Sequence, residues 1–355
     1  MLELTPPAEH TLSNLLRHSH RRLRELCLLV LLTATTSGCA SNYRLAPAAT
    51  LSDASFGVSW LTPSLETDAR TLARWRAGVG QPLVASSSRA AASESIEGLT
   101  IVSWNIALGA GDVAEGFKQL QQAQPNHAVV MLLQEAFRAG DGVPHTPLNA
   151  AFAGKLRCAS GREIDDLARA LDLWMYYVPS MRNGAPGISD EDRGNAILST
   201  IPLEDLVAIE LPFERQRRVA VAATVRGRTS EGEPWKLRVA SVHLDNMAGL
   251  SRGWIGGEYA RVRQARGLRE ALGGSDPLVL AGDFNTWFGF TDAAYLETAR
   301  AFPQTRVSDQ RRTFLGLMRL DHVFYRLPET WRTEVRRADT AHGSDHHPLI
   351  TTIAF

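Results

Sequence analysis

Acids, amides and imidazoles recur in this chain at the ends of apolar runs. Asn105 closes IVSWN, Glu135 closes VVMLLQE, and His243 closes KLRVASVH with Asp245 just behind it. Asp283 and Asn285 close DPLVLAGDFN, Asp321 and His322 open the run DHVFYRL, and Asp345, His346 and His347 precede PLITTIAF. Carboxylate and imidazole groups hold divalent cations, orient water and move protons. A buried carboxylate is costly unless it is paired or metal-bound, so such a set converging on one rim needs a metal or a substrate to organise it. Each member has a plainer explanation: a solvated Glu, a hydrogen-bonded rim His, or a Gly-Asp-x-Asn turn whose side chains bond their own backbone. The combination, in this order and spacing, is far more specific than any member.

Strands must carry these groups. From residue 99 onward strand and helix signals alternate. Residues 99–108, 128–136, 194–200, 204–211, 217–227, 236–246, 276–287, 320–327, 331–340 and 348–355 read as strands. Residues 112–124, 162–171 and 256–274 read as helices, with Ile164, Leu167, Ala168 and Leu171 on one face of the second. This pattern predicts an α+β fold of two packed sheets with helices outside.

Together SWNI (103–106), LLQEA (132–136), RGNAILS (193–199), SVHLDN (241–246), LAGDFNTW (280–287), LDHVF (320–324) and GSDHHPL (343–349) resemble the endonuclease/exonuclease/phosphatase superfamily, the deoxyribonuclease-I-like metal-dependent phosphoesterases. The resemblance covers residues 99–355. It implies a four-layer α/β/β/α sandwich of two mostly antiparallel sheets flanked by helices, with the site where the sheets' loops meet. It also implies Mg²⁺-dependent hydrolysis of a phosphoester, with Mn²⁺ as a substitute. On that basis Glu135 is the principal metal ligand, Asn105 supports the metal or a phosphate oxygen, and Asp345 is a further ligand. Asp283 orients and deprotonates the attacking water, and Asn285 holds the phosphate or the water. His346 contacts the phosphate in charged form or acts as acid/base, with Asp321 fixing its tautomer and raising its pKa. His243 is suited to protonating the leaving oxygen. Asn195 and Arg193 line the substrate pocket. His322 points to the opposite face of its strand from Asp321, His347 is structural, and His342 is solvated rather than catalytic.

The family acts on nucleic acids, lipid headgroups and small phosphoesters, so the fold does not name the substrate. Residues 137–161 and 179–193 read as variable loops, where Arg138, Lys155, Arg157, Arg182 and Arg193 either grip phosphates or are solvated. Trp254, Trp287 and Phe288 lie near strand ends, to stack on a base, touch lipid or fill the core. Basic and acidic residues balance at 38 each, which argues against a broad basic surface for nucleic acid. The rival function is a catalytically silent binding module of the same fold. Such a module is expected to have lost Asp283, Asn285 or His346, and all three are present.

The 355 residues are 44% hydrophobic, enough for a packed core, and the N-terminus reads as an address. Residues 17–24 (RHSHRRLR) are basic, LCLLVLL is apolar but too short to span a bilayer, and small residues lead to Cys39. Residues 1–38 are therefore expected to be a signal peptide. Thr36-Ser37-Gly38-Cys39 resembles a bacterial lipobox, with Thr36 where Leu is usual, which implies lipidation of Cys39. The expected product is exported and sits in the cell envelope as an outer-membrane lipoprotein facing the periplasm or the exterior. Cys158 is then the one thiol left, so no disulfide forms within the mature chain. Residues 39–98, rich in Ala, Ser and Pro, are expected to be a flexible tether with a short helix at 67–78. The catalytic domain spans 99–355 and is expected to be a monomer, tethered to the membrane and acting on a phosphoester substrate.

Overall fold

Strands that are apolar on both faces need cover on both faces, and here each sheet is covered by its partner sheet inside and by helices outside. The structure is a computed structural model that describes residues 45–47, 57–64, 66–88, 96–145, 160–184, 189–246 and 254–355. The expected signal peptide and Cys39 lie outside the described residues, which belong to one compact unit, Tyr43–Phe355. No helix among them is long and apolar enough to cross a membrane.

In chain order the first elements are β1 (Leu45–Pro47), β2 (Ser59–Pro63), α1 (Glu66–Arg76), β3 (Leu83–Ala85), β4 (Gly98–Asn105) and α2 (Val113–Ala123). Next come β5 (His127–Ala139), α3 (Ile164–Leu171), β6 (Trp174–Asn183), β7 (Glu191–Ser199), β8 (Glu204–Glu210) and β9 (Val219–Arg228). The chain continues through β10 (Pro234–His243), α4 (Trp254–Ala271), β11 (Leu278–Asp283) and α5 (Ala293–Ala299). It closes with β12 (Asp321–Arg326), β13 (Arg332–Arg337) and β14 (Leu349–Ala354). One seven-stranded sheet has the order β1-β2-β8-β9-β10-β11-β12, and the other β13-β14-β4-β5-β7-β6-β3. Neighbours run parallel at β2–β8, β4–β5 and β10–β11 and antiparallel elsewhere.

Alternation along the strands builds the layers. Leu99, Ile101, Val130 and Leu132 point between the sheets, where they meet Val221, Val239, Val279 and Ala281. Val102, Trp104, Val129 and Met131 point outward onto Val113 and Phe117 of α2 and Ile164 and Leu167 of α3. On the other flank Ala240, Val242 and Leu280 pack on Ala265 and Leu268 of α4 and Ala294 of α5. Each fully buried aliphatic side chain contributes about 1.5–3 kcal/mol of transfer free energy. The side chain of Asp112 caps α2 by accepting from the Glu115 N–H at 3.1 Å. Pro125 follows directly after the C-cap, where the helix cannot continue.

The expected tether needs correction between residues 57 and 88. β2 pairs with β8, β3 pairs with β6, and α1 buries Leu72 completely. Arg76 of α1 pairs with the buried Glu210. These strands are short and lie at or near sheet edges, so they lack the long apolar runs that mark a central strand. Much of the 179–193 loop is also strand, the β6–β7 hairpin. Pro179 and a register shift between Pro179 and Met181 interrupt the β6 pattern and conceal it in the sequence.

Candidate active site

Pairing register brings the chemistry together. The parallel pair β10–β11 sets His243 beside Asp283, and the antiparallel pair β11–β12 sets Asp283 beside Asp321. This close approach requires Gly282, because a Cβ there would lie 1.9 Å from the Val242 carbonyl oxygen. In the opposing sheet β4 ends at Asn105, paired with Gln134. Glu135 follows at a break in the β5–β7 register, with φ of 53°, so the bulge re-aims its side chain. Asn105 Nδ2 donates to Asp283 Oδ2 at 3.1 Å, which ties the two sheets together at the site.

Asp283 is the hub. Its Oδ2 lies 3.4 Å from His243 Nε2 and 3.8 Å from His346 Nε2, and its Oδ1 accepts the Asn285 N–H at 2.9 Å. His346 Nδ1 lies 2.8 Å from Asp321 Oδ2. The loop bearing His346 is pinned on several sides. Trp104 Nε1 donates to the His346 carbonyl at 2.9 Å, and the Ser344 hydroxyl accepts the His346 N–H while donating to the Asn105 carbonyl. Phe314 lies against the imidazole, with ring centroids 4.8 Å apart. Thr313 Oγ1 accepts the backbone N–H of Asp321 at 3.2 Å.

Burial raises the Asp283 carboxyl to about 6, and Asp321 adds to the rise against the opposing pull of His346 and two hydrogen bonds. Burial alone would lower His346, but Asp321, Asp283 and Asp345 together raise it to about 10. Near neutral pH the site thus holds an ionised acceptor next to a charged imidazole, which suits general acid–base work.

Asp283, Asp321 and His346 present ligand atoms within 4.8 Å of one another. Within this trio His346 Nδ1 is already committed to Asp321 Oδ2, which leaves His346 Nε2 facing Asp283 Oδ2. Glu135 stands apart from it, buried, with Arg193 and Arg218 acting on its charge. Asp321 Oδ1 is buried and has no hydrogen-bond partner among the described residues. Glu135 is buried one residue past Gln134, the partner of Asn105, and Asp345 is half-exposed with its Oδ1 4.0 Å from His346 Nε2; carboxylate oxygens of this kind suit a hard divalent cation.

The sequence model of the Endonuclease/Exonuclease/phosphatase family matches residues 102–346. The chain belongs to that family. A UPF0294 protein of Vibrio cholerae is 34% identical over 143 residues, 39% of this chain and 46% of the relative. One from Vibrio vulnificus is 38% identical over 79 residues, covering 21% and 27%. This chain therefore spans about half the length of the first of these relatives or less. An endonuclease/exonuclease/phosphatase structure from Beutenbergia cavernae shares the fold, with a TM-score of 0.51, 19% identity, and 73% and 72% of the two chains covered.

The family motifs land unevenly. Asn195 spends its Nδ2 on the Val219 carbonyl at 2.7 Å, clamping one sheet to the other. Arg193 is different: it is buried, its Nη2 reaches the Met181 sulfur, and its Nη1 has no partner among the described residues. Burial pushes its pKa down to about 10 despite Glu135. Arg138 and Arg182 are not phosphate grips, since they pair with Asp192 and Asp190 respectively. Lys155 and Arg157 lie outside the described residues. Trp287 and Phe288, directly after the GDFNT turn, are 43% and 48% exposed. His347 Nδ1 bonds the Ala338 carbonyl, and His342 is half-buried against the edge of Trp104. Arg218 had no place in the sequence reading. It is buried, its Nη2 donates to Gln216 and Asn246, and its Nε lacks a partner among the described residues. Burial lowers its pKa while Asp245, Glu135 and Asp283 draw it up. A double Arg opening an apolar strand, RRVAVAA, was the available signal.

Proposed function

We propose that this chain is a divalent-metal-dependent phosphoester hydrolase. Family membership supports phosphoester hydrolysis, and one observation carries the reading: a buried Asp283 carboxylate within 4 Å of two imidazoles, one of them charged by Asp321. Asp283 accepts the proton of the attacking water. The charged His346 steadies the phosphate oxygens, and His243 delivers a proton to the leaving oxygen. Arg193 and Arg218, each with a buried N–H to spare, line the anion side. Glu135, Asn105 and Asp345 would hold Mg²⁺ or Mn²⁺, which when bound neutralises phosphate charge. Asn285 donates its side-chain amide to the Leu244 carbonyl at 3.0 Å, so its remaining oxygen serves to hold water or phosphate.

The test offers full-length protein with Mg²⁺, Mn²⁺ or EDTA a panel of DNA, RNA, sphingomyelin, inositol phosphates and bis-p-nitrophenyl phosphate. Hydrolysis of at least one, abolished by EDTA, is expected; inertness towards all of them would contradict the reading and favour a binding module. We further propose an exported, monomeric enzyme anchored through lipidated Cys39, a reading supported by RHSHRRLR, LCLLVLL and TSGC. Cys39→Ser is expected to release the protein from membranes.

A further inference from the structure

His322 is a buried histidine that the proposed reaction does not use. It follows Asp321 on β12 but faces the opposite way, in register with Gly282. The rings of Phe284, Phe290, Tyr295 and Phe324 surround it at centroid distances between 4.7 and 6.1 Å. Inside this apolar cage its Nε2 meets Thr286 Oγ1 at 2.6 Å. The Thr286 hydroxyl in turn donates to the Arg319 carbonyl at 3.0 Å. A hydroxyl has one proton. With that proton on the Arg319 carbonyl, His322 Nε2–H must be the donor to Thr286.

The chain of bonds falls next to a strained residue. Asn285 has φ of 49°, in the left-handed region that non-glycine residues keep only when their surroundings over-determine it. The Asn285 N–H is held by Asp283, its side chain by Leu244, and the following residue by the Thr286–Arg319–His322 bonds. The Phe284 N–H also donates to the Leu320 carbonyl at 2.9 Å. The turn carrying Asp283 and Asn285 is thus buckled onto the entry of the strand carrying Asp321.

We propose that His322 is a positioning residue: through Thr286 it locks the 283–286 turn onto the start of β12 and so sets Asp283 and Asn285 against the Asp321–His346 pair. The proposal rests on the hydrolase reading above, because it concerns the geometry of that reaction. His322→Phe fills the aromatic cage without a donor, His322→Gln restores an N–H at the tip, and Thr286→Val removes the acceptor.

The experiment measures kcat and KM of the full-length variants on bis-p-nitrophenyl phosphate with Mg²⁺, together with Tm and amide hydrogen exchange of residues 284–287. In H322F kcat is expected to fall roughly tenfold to a hundredfold with KM within about twofold, since small misplacements of reacting groups act on turnover. Its Tm should stay at or above the wild-type value, and exchange in 284–287 should accelerate. H322Q should recover most of both losses, T286V, which also loses the bond to the Arg319 carbonyl, should be impaired at least as much as H322F, and the double variant should be no worse than T286V. Wild-type kcat and exchange in H322F overturn the proposal, as does equal impairment of H322F and H322Q or a loss that merely tracks Tm. If the wild type hydrolyses nothing, the hydrolase reading fails, and the exchange data still decide whether His322 holds the turn.

Discussion

Among the clusters of buried charge in the described residues, the one around Asp192 and the one around Asp283 are built differently. Asp192 accepts from the Arg138 guanidinium, the Tyr177 hydroxyl and the Gly80 N–H, a full complement for a carboxylate. Asp283 lies in a ring of groups that share charge without cancelling it: two imidazoles, a second carboxylate, and amides from two sheets. Around it the backbone is held at positive φ at Glu135 and Asn285, and Arg193 and Arg218 each have a buried N–H without a partner among the described residues. Buried charge alone therefore does not mark a site. What sets the Asp283 cluster apart is a carboxylate shared among several charged groups next to backbone at positive φ.

Substitutions should separate the clusters. Asp283→Asn is expected to lower kcat/KM by about a thousandfold or more with little change in Tm, and His346→Ala to lower it as far while also lowering Tm, because the stability from its raised pKa is lost with the imidazole. Asp192→Asn should do the reverse. Breaking a buried pair costs about 3–5 kcal/mol, visible as a lower denaturation midpoint, while the activity of the folded fraction persists. Equal effects at both clusters would erase the distinction drawn here. Arg193→Met comes next in size, raising KM about tenfold through a lost charge-assisted hydrogen bond, with kcat nearly unchanged.

Two pH effects follow, with signs set by the two shifts. Asp283 gains basicity only as pH rises through about 6, and His346 stays charged until about 10, so activity should climb through the first value and decline near the second. For stability, the raised His346 contributes fully below its unfolded value of about 6.5 and loses that contribution as pH rises through about 10. The raised Asp283 acts the same way lower down, its native-state preference for the proton fading as pH passes from about 4 to about 6. Melting temperatures in EDTA across pH 4–11, wild type against H346A, measure both.

Sequence alone reached the central strands and most of the rim, because central strands are apolar on both faces and end in conspicuous polar groups. It missed β1, β2, β3 and β6, whose signals are cut short by position at or near a sheet edge, by Pro179 and by a bulge. It also missed α5, a seven-residue helix announced chiefly by the Asp292 side chain accepting the Ala294 N–H. Arg138 and Arg182 read in the sequence either as phosphate grips or as solvated charges and are instead paired with Asp192 and Asp190, since a loop arginine looks the same in sequence whether its carboxylate partner is near or absent. Arg218 escaped for the same reason in reverse: RRVAVAA marks the residue, but its proximity to Glu135 and Asp283 exists only in three dimensions.

The account turns on Asp283 as the proton acceptor. Its most direct test is the rate of bis-p-nitrophenyl phosphate hydrolysis by full-length wild type and D283N at saturating Mg²⁺ and matched Tm, read across pH 5–9. The account predicts a wild-type rate that rises through about pH 6 and a D283N rate at least about a thousandfold lower with no such rise. A D283N protein that keeps the wild-type rate and pH profile would contradict it.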